Sequence, residues 1–140
     1  MRPPTGASDQ KPDSRGHVYF LVMNGSIESE DGLVLVKVGI TSGDVLDRIA
    51  TLQTGNPYSL ACFDSFETRW PSDVERFMHL THAEDMHQNE WMRWSRDGLQ
   101  HLVTEAKEAA RQIERRKSKE EYFSAQASNG NTRVASPRFR

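Results

Sequence analysis

LVLVKVGITSGDVLDRIATLQTGNP, residues 33–57, is the stretch on which the fold turns. Residues 33–40 form a short β-branched and aliphatic run that stops at Thr41-Ser42-Gly43, as a strand closed by a turn does. At Asp44 the period changes. Val45, Leu46, Ile49 and Leu52 recur at the spacing of one helical face, and Asp44 stands where an N-cap is needed. Thr54-Gly55-Asn56-Pro57 ends that helix, because Gly and Asn tolerate the left-handed cap conformation and Pro cannot continue a helix.

The flanking sequence extends the pattern in both directions. HVYFLVM, residues 17–23, is a second apolar run ended by Asn24-Gly25, so the two runs predict an antiparallel hairpin. Residues 58–66 predict a third strand. Ser72-Asp73-Val74-Glu75 matches a capping box and opens a second helix with Val74, Phe77, Met78 and Thr81 on one face. A short extended segment follows around residues 89–92. Residues 97–117 predict the longest helix, with Leu99, Leu102, Val103, Ala106, Ala110 and Ile113 as its apolar face. The expected fold is therefore α+β: a small three-stranded antiparallel sheet flanked by helices, with a long C-terminal helix.

At 140 residues the chain has room for one domain, assigned to residues 16–117. A hydrophobic share of 36% and a mean hydropathy of -0.72 are low for a fully packed chain. Residues 1–15 accordingly read as a disordered leader and residues 118–140 as a flexible basic tail. No run approaches the roughly 18 apolar residues of a membrane span, and no secretory signal opens the chain. The expectation is a soluble cytoplasmic protein without membrane contact. Cys62 is alone, which excludes an internal disulfide and a multi-cysteine metal site, and its apolar setting predicts burial. Charge is unevenly spread. Residues 16–106 carry six Lys/Arg against fourteen Asp/Glu, a net of -8, whereas residues 107–140 carry nine against four, a net of +5. An acidic core argues against nucleic-acid binding there, and the basic C-terminal part is where such affinity would reside.

Several short elements follow one another in order: Val18-Tyr19, Lys37-Val38-Gly39-Ile40-Thr41, Asp47-Arg48, Leu52-Gln53-Thr54-Gly55-Asn56-Pro57, Val74-Glu75-Arg76-Phe77-Met78-His79 and Asn89-Glu90-Trp91. This succession resembles the divergent phage and bacterial branch of the GIY-YIG nuclease superfamily. The resemblance implies metal-dependent hydrolysis of DNA, leaving a 3′-hydroxyl and a 5′-phosphate. It implies Mg²⁺ or Mn²⁺ on Glu75, water activated or oriented by Tyr19, phosphate held by Arg48, and Lys37 in place of the family's second tyrosine.

Each candidate also has a plainer reading. Tyr19 is a strand aromatic that would pack in a core, and as a base its phenol, with a pKa near 10, would need a neighbouring cation. Lys37 is expensive in an apolar strand unless it faces a polar site or solvent. Gly39 permits close approach or merely ends a strand, and with Thr41 it is a candidate nucleic-acid contact. Arg48 lies about 90° from the centre of its helix's apolar stripe, where it can bury its stem and extend its guanidinium to a phosphate. Two uses compete for Glu75, metal binding and capping its own helix. His79 follows at i+4 and His82 at i+7 on the same flank. That places His79 beside the metal facing phosphate, or makes it with Glu75 a transition-metal site, while His82 is expected to face solvent. Trp70 closes the core or stacks on a base. Arg115, Arg116 and Lys117 are candidate contacts to a DNA backbone, although cations at a helix end also suit the helix dipole. Two rivals stand beside the endonuclease: a module of this type that binds nucleic acid without cutting it, and a phage or mobile-element factor that contacts a host protein.

Overall fold

The two apolar runs pair antiparallel, His17 opposite Thr41 and Met23 opposite Leu35, and form the centre of a four-stranded antiparallel sheet. This computed structural model describes residues 15–24, 32–86 and 90–128, so most of the expected leader and the end of the expected tail lie outside the described residues. The elements in chain order are β1 (Gly16–Asn24), β2 (Leu33–Thr41), α1 (Val45–Gln53), β3 (Ser59–Thr68), α2 (Pro71–Thr81), β4 (Trp91–Ser95) and α3 (Leu99–Ser128). Short 3-10 turns at Ala83–Asp85 and Arg96–Gly98 flank β4. The sheet order is β3-β1-β2-β4.

The α+β class is as expected, but the sheet has four strands rather than three. β4 has five residues, of which Met92 alone is fully buried, so it is too short to carry a hydrophobic period. Pairing with residues 33–37 of β2 recruits it.

Strand alternation divides the interior into two cores. Val18, Phe20, Val36 and Val38 face α2 and α3, where they meet Val74, Met78, Leu102 and Val103. Tyr19 and Leu21 face the opposite side and pack with Ile49 of α1 and Leu60 of β3. α1 begins as predicted, with the Asp44 side chain accepting the Asp47 N–H at 3.1 Å. Its buried stripe is narrower than predicted, because Leu46 is 71% exposed. At 100° per residue, removing Leu46 leaves Arg48 only about 65° from the stripe's centre. The LQTGNP stretch proves structural: the Gln53 side chain donates to the Asn56 and Tyr58 carbonyls and accepts the Leu60 N–H at 2.8 Å, while Gly55 takes φ +80. Gln53 thereby fixes the end of α1 to the start of β3.

α3 runs eleven residues past the expected end at Lys117, so residues 118–128 are helical and not a flexible tail. The apolar period stops at Ile113, and polar anchors carry the next turns. Glu114 accepts the Trp70 indole N–H at 2.8 Å and Arg69 at 3.0 Å, Arg69 also reaches Glu121 at 3.1 Å, and Lys117 pairs with Asp73 at 3.5 Å. Hydrophobic patterning cannot see such contacts. Trp70 is buried and used by Glu114, so it closes the core and is not free to stack on a base. Cys62 is half-buried rather than fully buried, with its thiol donating to the Asp64 carbonyl at 3.3 Å and burial raising its pKa. No helix among the described residues is long and apolar enough to cross a membrane.

Trp70→Phe keeps the ring but deletes the indole donor to Glu114. It is expected to lower stability by about 1–2 kcal/mol in urea denaturation, with lost hydrogen-exchange protection concentrated after residue 113. Unchanged stability would contradict the anchoring role.

Candidate active site

α2 starts two residues earlier than a Ser72 cap would allow. Pro71 occupies the first turn, where its fixed φ suits the helix and its missing N–H costs nothing, and Trp70 is the N-cap without a side-chain capping bond. The capping-box reading is therefore corrected: Asp73 holds the third helical position, and Glu75 lies beyond it. Glu75 is not occupied as a cap. Val74 and Met78 bury the helix against the sheet, leaving Glu75 and His79 one turn apart on its flank.

His82 does not share that flank in any useful way. It ends α2 with φ -109 and is buried, its Nε2 lying 2.7 Å from Glu105 and its ring edge-on to Trp94 at 5.0 Å. The expectation that it faces solvent is wrong, because the helix ends there and the ring turns toward α3.

The site forms where β4 stops covering β2. β4 begins at Trp91 opposite Lys37, and among the described residues 38–41 of β2 have no strand on that side. His79 takes the exposed edge: its Nε2 lies 3.2 Å from the Val38 carbonyl oxygen. Glu90 immediately precedes β4 with φ 70, an uncommon conformation for a residue with a Cβ. Its Oε2 stands 3.7 Å from His79 Nδ1. Glu75, His79 and Glu90 each offer one ligand atom, all within 4.8 Å of one another. Glu90 was missed as a site residue because in the sequence it is one more acid in an acidic region, and only the backbone at the start of β4 brings it to α2.

Tyr19, Lys37 and Gly39 lie on the α1 side of the sheet by alternation. Tyr19 is buried, and its ring covers Gly39, where an added Cβ would come within 2.5 Å of the phenol. Gly39 is therefore required by packing. Lys37 is half-buried and Arg48 is exposed at the rim of α1. Both lie close enough to Glu75 to favour its charged form, as does His79; burial is the largest influence on this carboxyl and raises its pKa, and Glu90 raises it further. Glu75, His79 and Glu90 are thus grouped, Lys37 and Arg48 act on Glu75 electrostatically from nearby, and Tyr19 lies across from Gly39 in the neighbouring strand pair.

Of the expected nucleic-acid contacts, Arg115 and Arg116 share a groove on α3 with Lys119 and Tyr122, while Thr41 and Lys117 have structural partners. Thr41 ends β2 and caps the turn, its hydroxyl accepting the Gly43 N–H at 3.1 Å. Arg115 lines a groove of about 560 Å³ with Arg15, Arg69, Arg111, Glu67 and Glu114. Arg116 also borders a groove with Phe77 and His101, and Lys117 is committed to Asp73 and lies over the Trp70 ring at 5.1 Å. In comparisons with known proteins, no family model, curated protein or solved structure matches the chain.

The raised pKa of Glu75 has a sign that can be measured. The folded protein holds the Glu75 proton above the ordinary value of 4.5, so between that value and the folded pKa it binds more protons than the unfolded chain. Stability from this group is full below 4.5 and falls as pH rises through the folded pKa. Glu75→Gln is expected to raise the Tm at pH 7 to 8 and to remove part of the decline above pH 5, in metal-free thermal melts. An unaltered pH profile would contradict it.

Proposed function

We propose that this chain is a metal-dependent endonuclease of the GIY-YIG type that hydrolyses DNA phosphodiester bonds. The observation that carries the reading is the grouping of Glu75 and His79 with Lys37 and Arg48, two cations from the other side of the sheet. A carboxylate with two cations near enough to favour its charged form suits a reaction in which negative charge grows on phosphate.

The roles follow from placement. Arg48, exposed at the rim of α1, presents a planar fork that can bind two phosphate oxygens at once. Lys37, half-buried in the strand beside Tyr19, offsets charge on the incoming phosphate. Tyr19 orients the attacking water from the floor of the sheet, where Gly39 leaves room for its ring. His79 donates to the Val38 carbonyl, which orients its ring on the flank that carries Glu75. The donor set of Glu75 and its neighbours fits a divalent ion, Mg²⁺ or Mn²⁺, which would supply Lewis-acid stabilisation of the pentavalent phosphate when bound. DNA affinity would come from the basic C-terminal part, since residues 16–106 are net -8.

A module that binds nucleic acid or a host protein without cutting is the second reading. Two observations favour it: the acidic core, and a Tyr19 only 1% exposed.

Cleavage of single- and double-stranded DNA with Mg²⁺ or Mn²⁺ separates the two. Arg48→Ala is expected to slow cutting by about 10²- to 10³-fold with the fold unchanged. A wild-type protein inert with both ions, or an Arg48→Ala variant as fast as wild type, would exclude the nuclease.

A further inference from the structure

We propose that His79 Nδ1 and Glu90 are metal ligands together with Glu75, forming a two-carboxylate, one-imidazole site that prefers Mn²⁺ to Mg²⁺. This goes further than an ion resting on Glu75, and it deepens the nuclease reading without requiring it: the ion binds whether or not DNA is cut.

Val38 determines the tautomer of His79. A backbone carbonyl can only accept, so the 3.2 Å contact fixes the hydrogen of His79 on Nε2. In the neutral ring the lone pair then belongs to Nδ1, the nitrogen that faces Glu90. A histidine whose other ring nitrogen donates to a main-chain carbonyl is the usual arrangement behind a metal-bound imidazole, because that bond sets both tautomer and ring orientation. The bond to Val38 lies outside the cluster and orients His79 into it.

Spacing agrees. The Nδ1 to Oε2 distance of 3.7 Å is too long for a hydrogen bond, and the three ligand atoms span at most 4.8 Å. Ligand atoms around an ion at about 2.1 Å stand roughly 3.0–3.4 Å apart. A modest swing of the exposed Glu90 side chain, 56% accessible, closes the set. Glu75 and Glu90 also repel each other, and a cation between them turns that repulsion into attraction. The donor types decide the ion. Mg²⁺ favours oxygen and retains water, whereas imidazole nitrogen suits Mn²⁺ and the later transition metals, which bind more tightly along the series.

The test is titration of the full chain with MnCl₂, without DNA, read by loss of the free-ion signal in electron paramagnetic resonance. One Mn²⁺ per chain is expected, with Mg²⁺ displacing it only at tenfold or greater excess and Zn²⁺ displacing it readily. Glu90→Gln and His79→Ala are each expected to weaken Mn²⁺ tenfold or more, with circular dichroism unchanged. His79 also anchors α2, so the exposed Glu90 supplies the variant that cannot fail through folding. Absence of Mn²⁺ binding, wild-type affinity in Glu90→Gln, or Mg²⁺ competing equally would overturn the proposal. Since no substrate is present, a protein that binds Mn²⁺ yet does not cut DNA keeps this inference and loses the nuclease.

Discussion

The hydrogen bond between His79 and the Val38 carbonyl is the contact on which the site depends. Among the described residues, pairing of β4 with β2 ends at Lys37, and the Val38 carbonyl beyond it is taken by the His79 side chain. The bond holds because α2 is set by Val74 and Met78, both wholly buried against the sheet. One bond thus links the core that positions α2 to the edge where β2 is uncovered, and it determines which imidazole nitrogen faces the carboxylates. A longer β4 would occupy that edge and remove the site.

The sheet serves as a partition between two sets of charges. Glu75 and His79 come from the layer containing α2, while Arg48 comes from α1 on the other side and Lys37 points toward it. They lie near one another where β4 stops covering β2. Tyr19 belongs to the second core, and its ring uses the space that any side chain at residue 39 would fill. The arrangement costs stability at Glu75, whose half-buried carboxyl is strained toward its neutral form and is repelled by Glu90.

The features legible in the sequence were those written as hydrophobic periods. The β1–β2 hairpin, the cap of α1 at Asp44, the Gly55 turn and the first half of α3 followed from alternation, helical spacing and turn chemistry. What escaped was written in other terms. The segment around residues 89–92 reads as extended, but its membership of the sheet depends on pairing with β2, and the second half of α3 is held by Glu114, Arg69 and Lys117 rather than by apolar residues. The Ser72 capping box matched in letters but lost to Pro71, whose fixed backbone starts the helix earlier. His82 sat on the expected ridge only if α2 continued, and it stops there. Glu75, His79, Lys37 and Arg48 could be named from motif order, yet nothing local in the chain brings Glu90 to His79.

The most direct measurement is an anomalous-diffraction map from crystals soaked in Mn²⁺ with a phosphorothioate DNA that resists cleavage. One strong peak is expected between Glu75, Nδ1 of His79 and Glu90, with a backbone phosphate beside it and within reach of Arg48. A peak elsewhere, or DNA seated away from the β2 edge, would contradict it.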